Sequence, residues 1–264
     1  MDTTHTRSAL TYTTPFAMHI GMVGLGKMGL NMTRRLINGG HDVTVFDLNK
    51  EAIEEAAGYG ARPAHTLEEV CESLEAPRQV WVMVPAGGPT EATLKGLAEH
   101  LSENDTIIDG GNARYTDTLR RSEWLAEEHR IHLVDAGTSG GVWGLAEGYS
   151  LMIGGPKEAV DALAPVFKTL APSDDTGWGR VGPSGSGHFA KMVHNGIEYG
   201  MMQAFSEGFH IMEAKEPFGY DLHQVAQIWR HGSVVRSWLL DLAARALGEN
   251  PELEGIAPFV SDSG

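Results

Sequence analysis

The sequence predicts an α/β fold, in which a doubly wound, mostly parallel sheet is followed by a small all-helical domain. Three observations predict this fold. A glycine-rich turn near residue 24 joins an apolar run to a helical stretch. Further apolar runs then alternate with helical stretches up to about residue 180, and each run ends in small residues. After VGPSGSG at 181–187 the pattern becomes helical and poor in glycine, so we place the domain boundary between residues 182 and 183.

The first element is an apolar strand over 18–23, which ends in GLGKMG and opens directly into a helix. Its glycines have the spacing G-x-G-x-x-G, in the strand, turn and helix context that this motif requires. The first glycine allows a tight turn, the second lets the backbone approach a pyrophosphate, and the third lets the helix pack close to the strand. The motif predicts a Rossmann-type dinucleotide-binding domain over 18–182. The candidate cofactor-binding residues in this turn are Gly24, Leu25, Gly26, Lys27, Met28 and Gly29.

The second strand, HDVTVFDLN, ends in Asp47, which lies 18 residues after Gly29. An acidic side chain at this point accepts the ribose hydroxyls of a dinucleotide and repels the additional phosphate of NADP. We therefore expect NAD rather than NADP as the cofactor, although Lys50 and Arg62 could weaken the discrimination. The alternative role for Asp47 is to cap the helix that starts near Lys50.

Three further strands, each ending in a turn of small residues, are predicted over 80–88, 106–112 and 131–141. Ligands of open parallel sheets gather beyond the carboxyl ends of the strands. The turn after the first of these strands would run alongside the nicotinamide ring. The amide in the second turn would lie between cofactor and substrate. The third turn offers a hydroxyl and free N–H groups to a carboxylate. Each could instead be an ordinary glycine-rich turn. The candidate residues are Val84, Pro85, Ala86, Asn112, Ser139, Gly140 and Gly141.

The rest of the sheet domain is predicted to hold a strand at SLMIGG, a helix over 157–169 and a last strand near 175–180, which gives seven or eight strands in total.

The run GHFAKMVHNGIEYG carries four polar residues on one side of a predicted helix. Relative to Lys191, the residues His194, Asn195 and Glu198 lie at about 300°, 40° and 340° around the axis. An amine and a carboxylate about 10 Å apart along one stripe suit a general base and a general acid. The alternative is a solvated helix face. We expect apolar neighbours to bury much of the helix, namely Phe189, Met192, Val193, Ile197 and Met201.

Composition narrows the range of partners. The chain has 20 basic and 35 acidic residues, and its net charge of −15 argues against binding to nucleic acid or to anionic membranes. A single cysteine excludes an internal disulfide and suits the cytoplasm. Residues 1–17 contain no continuous apolar stretch of signal-peptide length, and no apolar run is long enough to span a membrane, so we expect neither secretion nor a membrane span. Residues 1–17 are expected to be a disordered extension.

Four motifs together resemble the decarboxylating 6-phosphogluconate dehydrogenases, in particular their shorter, NAD-preferring branch: GLGKMG, IIDGGN, TSGG and KMVHNGIEYG. The last motif is the most specific, because the wider β-hydroxyacid dehydrogenase superfamily shares the fold, the SGG turn and a lysine but not this His, Asn and Glu set. The resemblance covers the chain from Met18 onward.

The resemblance implies a mechanism. Lys191 would take the proton from the hydroxyl on carbon 3 while hydride moves to NAD, and would then protonate the keto oxygen to help carbon dioxide leave. Glu198 would protonate carbon 1 of the resulting enediol. This chemistry needs no metal, because the ammonium group polarises the substrate. The residues that the resemblance assigns to substrate binding are Asn112, Ser139, Gly140, Gly141, His194, Asn195 and Tyr199.

The resemblance also implies further residues beyond Gly264, including an arginine that grips the substrate phosphate, so we expect this chain to bind phosphorylated substrate weakly. The apolar residues of the helical domain, over 183–264, favour a homodimer or a larger homo-oligomer, although a longer carboxyl end could cover them instead. Two alternative functions stay open. One is a dehydrogenase of the 3-hydroxyisobutyrate type, and the other is a catalytically weak NAD-binding protein.

Overall fold

The computed structural model describes residues 17–257, so nearly all of the extension expected at 1–17 lies outside the described residues. The described chain forms two compact units, which meet in sequence between Lys191 and Met192. Each unit is described by itself below. Within the described residues, no helix has both the length and the apolar character needed to cross a membrane.

The first unit is built on an eight-stranded sheet, whose strand order is β3-β2-β1-β4-β5-β6-β7-β8. Neighbouring strands are parallel except for β6 and β7, which are antiparallel. The order reverses between β1 and β4, where ligands of doubly wound sheets bind. The doubly wound, mostly parallel sheet predicted from the sequence is therefore confirmed. The strands are β1 His19–Val23, β2 Asp42–Phe46, β3 Arg62–Pro63, β4 Gln79–Val82, β5 Thr106–Asp109, β6 His132–Ser139, β7 Ser150–Gly154 and β8 Trp178–Gly182.

Helices cover both faces of the sheet, so successive residues of a central strand enter different cores. In β4, Trp81 belongs to one buried cluster, whereas Val80 and Val82 belong to the cluster on the other face. The helices are α1 Lys27–Asn38, α2 Lys50–Gly58, α3 Leu67–Ser73, α4 Gly88–Ala98, α5 Tyr115–Trp124, α6 Gly144–Glu147, α7 Lys157–Ala162 and α8 Ala164–Leu170.

One local prediction was wrong, and one short strand was not predicted. The single helix expected over 157–169 is divided at Leu163, because Pro165 lies in the first turn of α8 and lacks the N–H that a continuous helix would need. The two-residue strand β3 was missed. Among the described strands it pairs with β2 alone, and Pro63 is tolerated there because β3 lies at the edge of the sheet.

The second unit contains most of α9 Ser186–Glu213, together with α10 Leu222–Trp229 and α11 Trp238–Glu249. Asp221 and Ser237 cap α10 and α11 by accepting hydrogen bonds from the backbone N–H groups of Gln224 and Leu240. The core of this unit is small, consisting of Ala226, Leu240, Ala244 and Leu247 with Phe205, Phe209, Leu222 and Trp229 packed against it.

The division between the units falls inside α9, after the boundary placed at residue 182 from the sequence. The reason lies in the first turn of α9, where the buried residues Gly187 and His188 pack against the sheet.

Candidate active site

The candidate residues of the first unit gather at one edge of the sheet. Because β1, β2, β4, β5 and β6 run parallel, the turns that follow them lie at the same edge. The structure therefore brings together the glycine turn, the end of β2 and the turns after β4, β5 and β6. These turns contain Gly24, Leu25, Gly26, Asp47, Val84, Pro85, Ala86, Asn112, Gly140 and Gly141, while Lys27, Met28 and Gly29 form the first turn of α1 and Ser139 ends β6.

Each glycine of the first turn has a different physical role. Gly24 has a φ of 97°, which a side chain would strain, and its N–H donates to the carbonyl of Phe46 at 2.9 Å. A Cβ on Gly29 would lie 2.0 Å from the carbonyl oxygen of Gly24, so only glycine allows this approach of helix to strand. A Cβ on Gly26 would meet nothing within 4 Å. The backbone at Gly26 is therefore open to a ligand.

The N-terminus of α1 is suited to an anion. Among the described side chains, none caps this helix, and its first turn contains no acidic residue. The N–H groups of a first helical turn lack partners within the helix and carry partial positive charge. An open glycine backbone beside such a turn fits the pyrophosphate of a dinucleotide.

Asp47 joins the end of β2 to the glycine turn. Its Oδ2 accepts a hydrogen bond from the N–H of Leu25 at 2.6 Å, and its Oδ1 accepts one from the N–H of Asn49 at 2.7 Å. The alternative role as a helix cap is wrong, because Asn49 caps α2 by accepting from the N–H of Glu51 at 3.0 Å. A carboxylate has about four lone-pair sites, so two remain for ribose hydroxyls.

Arg62, which the sequence analysis considered as a residue that could weaken the discrimination at Asp47, has its side chain at the other end of β2. It pairs with Asp42 at 3.0 Å, and Asp42 is the first residue of β2, at the opposite end of the strand from Asp47.

The turn after β5 is held by a buried acid that the sequence analysis missed. The Oδ1 of Asp109 accepts a hydrogen bond from the N–H of Gly111 at 3.2 Å, and this fixes the turn that carries Asn112. Burial raises the pKa of the Asp109 carboxyl, while the neighbouring His188 and Arg121 oppose the rise.

The remaining turn, at 84–86, is fixed by Thr90, whose hydroxyl donates a hydrogen bond to the carbonyl oxygen of Pro85 at 2.9 Å.

Lys191 lies against β6 in the first unit. A Cβ on Gly137 would be 2.6 Å from the Cβ of Lys191, so the helix passes directly over this glycine. Ser139 follows two residues later and faces the same side of the strand. The structure thus places the lysine beside the strand end that carries the predicted Ser139, Gly140 and Gly141 turn. The two glycines have φ values of 131° and 52°, which only glycine adopts readily.

The other candidate residues on α9 lie in the second unit. The Nδ1 of His194 is 3.3 Å from the Oδ1 of Asn195 and 3.7 Å from the Oε2 of Glu198. The helix is continuous from Ser186 to Glu213, so the predicted order and spacing of these side chains along one stripe are kept. Tyr199 is exposed.

One expectation about α9 was wrong. The apolar neighbours expected to bury the helix are themselves exposed, whereas the polar stripe is the half-buried side. Since the polar residues occupy a narrow sector around Lys191, the apolar ones necessarily lie on the other sides of the helix. The exposed apolar residues are Phe189, Met192, Val193, Ile197 and Met201.

Within residues 17–257, no group of three or more His, Cys, Asp or Glu side chains is arranged to hold a metal ion.

Comparison with known families matches both parts of the chain. Residues 19–179 match the model of the NAD binding domain of 6-phosphogluconate dehydrogenase. Residues 187–216 match the model of the 6-phosphogluconate dehydrogenase C-terminal domain.

Two curated relatives are similar over most of their length. The NAD(+)-dependent, decarboxylating 6-phosphogluconate dehydrogenase of Haloferax volcanii is 44% identical over 232 residues, which are 88% of this chain and 76% of the relative. The Bacillus subtilis protein YqeC is 43% identical over 247 residues, which are 94% of this chain and 82% of the relative.

Among solved structures, the 6-phosphogluconate dehydrogenase of Plasmodium falciparum, described with its cofactor NADP+ and its substrate 6-phosphogluconate, has a TM-score of 0.80 and 32% identity. The match covers 87% of this chain and 50% of that longer chain.

Proposed function

This chain belongs to the 6-phosphogluconate dehydrogenase family, and we propose that it oxidatively decarboxylates 6-phosphogluconate to ribulose 5-phosphate and carbon dioxide, with NAD as the hydride acceptor. The observation that carries the proposal is the set of Lys191, His194, Asn195 and Glu198 on one unbroken helix. The position of Lys191 against Gly137, beside the end of β6, supports it.

Lys191 is the proposed base. As a neutral amine it takes the proton from the hydroxyl on carbon 3 of the substrate, and as an ammonium ion it then protonates the keto oxygen, which withdraws electrons from the bond to the leaving carboxylate. When bound, NAD would supply the acceptor for the hydride that leaves carbon 3. Ser139 with the N–H groups of Gly140 and Gly141 would hold the substrate carboxylate, and Asn112 would donate its amide between substrate and cofactor.

Glu198 is the proposed acid. It protonates carbon 1 of the enediol after carbon dioxide has left, and His194, Asn195 and Tyr199 would hold the substrate in place. Glu198 must carry a proton to act in this step. The Nδ1 of His194 lies 3.7 Å from the Oε2 of Glu198, so the imidazole is beside the proposed acid.

NAD is proposed over NADP on the strength of Asp47. Its carboxylate is fixed beside the glycine turn by Leu25 and Asn49, where it would accept the ribose hydroxyls and repel a phosphate on the same ribose. The remaining cofactor contacts are proposed for the turn at 24–29 and for Val84, Pro85 and Ala86. The homo-oligomer and the cytoplasmic location stay predictions.

The test is a steady-state assay of reduced cofactor and carbon dioxide from 6-phosphogluconate, with NAD and NADP compared. We expect turnover with a higher kcat/KM for NAD. Lys191→Ala and Glu198→Gln should each lower kcat by about 100-fold or more. The matched control is Glu213→Gln, which changes an exposed glutamate at the end of the same helix and should leave turnover within about twofold of the parent.

Other outcomes would overturn the proposal in part or entirely. A higher kcat/KM for NADP would refute the cofactor assignment alone. Turnover of 3-hydroxyisobutyrate in place of 6-phosphogluconate, with little cost from Glu198→Gln, would identify the alternative dehydrogenase. Binding of NAD without turnover of either acid would identify a catalytically silent protein.

A further inference from the structure

A buried carboxylate anchors the first turn of α9 to the sheet. Asp135 lies in the middle of β6 and is 0% exposed. Its Oδ1 accepts a hydrogen bond from the N–H of Gly185 at 2.6 Å, and its Oδ2 accepts one from the N–H of His188 at 2.8 Å. Both donors belong to the N-terminal end of α9, where an anion is also favoured by the helix dipole. One side chain thus satisfies two backbone donors of the helix that carries Lys191.

The start of α9 is packed tightly against β6 and β7 around the Asp135 side chain. A Cβ on Gly187 would lie 2.4 Å from the carbonyl oxygen of Met152 and 2.6 Å from that of Asp135. A Cβ on Gly154 would lie 2.4 Å from the Oδ1 of Asp135. These two glycines let the helix end approach β6 and β7 closely enough for the carboxylate to reach its donors. These contacts therefore fix the distance between the first turn of α9 and the strands β6 and β7.

The side chain of His188 strengthens the same attachment. It is buried, and its Nδ1 lies 2.7 Å from the hydroxyl oxygen of Thr118 in α5. The first turn of α9 is consequently tied to β6 through its backbone and to α5 through a side chain.

Lys191 is the candidate catalytic residue that this attachment places. It follows His188 by three residues, which is less than one turn of helix. The Cβ of Lys191 lies so close to Gly137 that a Cβ added to this glycine would be only 2.6 Å from it. Because Asp135 and Gly137 are alternate residues of one strand, the anchor and the lysine contact face the same side of β6.

We propose that Asp135 is a positioning residue for Lys191, whose two charge-assisted hydrogen bonds to Gly185 and His188 hold the lysine over β6 beside Ser139. The proposal rests on the proposed function, in which Lys191 is the base. An aspartate in this place does not touch substrate or cofactor. Its loss should lower kcat while leaving the affinity for NAD unchanged, because the glycine turn at 24–29 lies on a different strand end.

The matched experiment compares Asp135→Asn with Asp105→Asn. Asp105 is also 0% exposed and also accepts hydrogen bonds from two backbone N–H groups, those of Arg78 at 2.6 Å and Ser102 at 2.8 Å. It lies just before the first residue of β5, at the opposite edge of the sheet from the candidate site. An amide in place of either carboxylate removes one acceptor, and in Asp105→Asn it also weakens the ion pair that Arg78 forms with Asp105 at 3.2 Å. The control should therefore lose at least as much thermal stability as Asp135→Asn.

The expected result is a difference in turnover. Asp135→Asn should lower kcat by about 100-fold, since a displacement of about 1 Å at a catalytic group costs about that factor. Its dissociation constant for NAD should stay within about twofold of the parent, and Asp105→Asn should keep both values. Equal losses of kcat in the two variants, or none in Asp135→Asn, would overturn the positioning role.

Two further measurements decide the matter if Asp135→Asn folds poorly or the parent chain shows no turnover. Gly137→Ala keeps the Asp135 side chain but adds a methyl group that would lie 2.6 Å from the Lys191 Cβ and 2.7 Å from the Gly187 carbonyl oxygen. It should displace the start of α9 from β6 and lower kcat without weakening NAD binding. Unchanged kcat would overturn the proposal. Absence of turnover in the parent would refute the proposed function instead. Hydrogen exchange of residues 184–191 then tests the anchor, which requires faster exchange in Asp135→Asn but not in Asp105→Asn.

Discussion

Glu91→Gln is the substitution whose effect on stability the structure specifies most closely. Glu91 lies in the first turn of α4, where its Oε2 accepts hydrogen bonds from Arg120 at 2.8 Å and Arg121 at 3.1 Å. The bond from Arg120, with the one from Arg121, lowers the pKa of Glu91 from its ordinary 4.5 to about 2 although partial burial opposes the shift. Arg121 is buried, and its positive charge is compensated by Glu91 and by Asp109, which lies 3.5 Å from it.

The size and the pH range of the effect follow from the shift. A fall in pKa from 4.5 to about 2 corresponds to about 3 kcal/mol of stabilisation near neutral pH. Because the pKa is lower in the folded state, this stabilisation is fully present above pH 4.5 and is lost as the pH falls toward 2. At pH 3.5 about 2 kcal/mol should remain. The difference in unfolding free energy between the parent and Glu91→Gln should shrink accordingly.

The assay is urea unfolding at pH 7 and pH 3.5, followed by tryptophan fluorescence. Glu103→Gln is the matched control, because Glu103 pairs with Arg130 at 3.1 Å and both side chains are more than half exposed. Removal of such an exposed pair should cost at most about 1 kcal/mol. A loss from Glu91→Gln that is no larger than that of the control, or that does not diminish at pH 3.5, would refute the reasoning.

Two further predictions concern the first unit. Gly26→Ala adds a methyl group in open space, so it should keep the unfolding midpoint but raise the dissociation constant for NAD, measured by calorimetry, at least about tenfold. In Gly29→Ala the methyl group would lie 2.0 Å from the Gly24 carbonyl oxygen, so this variant should lose both stability and affinity for NAD. Wild-type affinity for NAD in Gly26→Ala would contradict the assigned pyrophosphate site. Cys71 is buried, which raises the pKa of its thiol to about 11, so it should resist a thiol reagent at pH 8 in the folded chain and react fully in urea, whereas rapid reaction without denaturant would contradict the burial.

The parts of the fold that were predicted correctly are those with a local cause. The glycine spacing of GLGKMG requires a strand before it and a helix after it, and both are present as β1 and α1. The break in the helix expected over 157–169 was missed although it also has a local cause, because Pro165 was visible in the sequence. In contrast, nothing in the composition of Arg62 and Pro63 marks a strand. Those two residues pair with β2 only because the preceding helix returns the chain to the edge of the sheet.

The candidate site shows the same limit. Helical periodicity was sufficient to place Lys191, His194, Asn195 and Glu198 on one side of α9, because that arrangement depends on the helix alone. Which side is less exposed depends on what packs around the helix, and the expectation about its apolar residues was therefore wrong. The role of Asp135 depends on donors about 50 residues away in sequence. The visible signal was only an acid inside an apolar strand.

Acidic residues beside the proposed anionic substrate and cofactor need a physical reason, since they would repel both ligands in a chain that already carries a net charge of −15. Asp47 and Asp109 lie at the carboxyl edge of the sheet and Asp135 lies in the middle of β6, and each accepts a hydrogen bond from a backbone N–H group. In each case the donor lies in or beside a segment that carries candidate residues: the glycine turn, the Asn112 turn and the start of α9. An uncharged acceptor would hold a turn less firmly, because a hydrogen bond to a carboxylate is roughly twice as strong as one between neutral groups. The cost in repulsion is therefore offset by turns that already have their final geometry before a ligand binds.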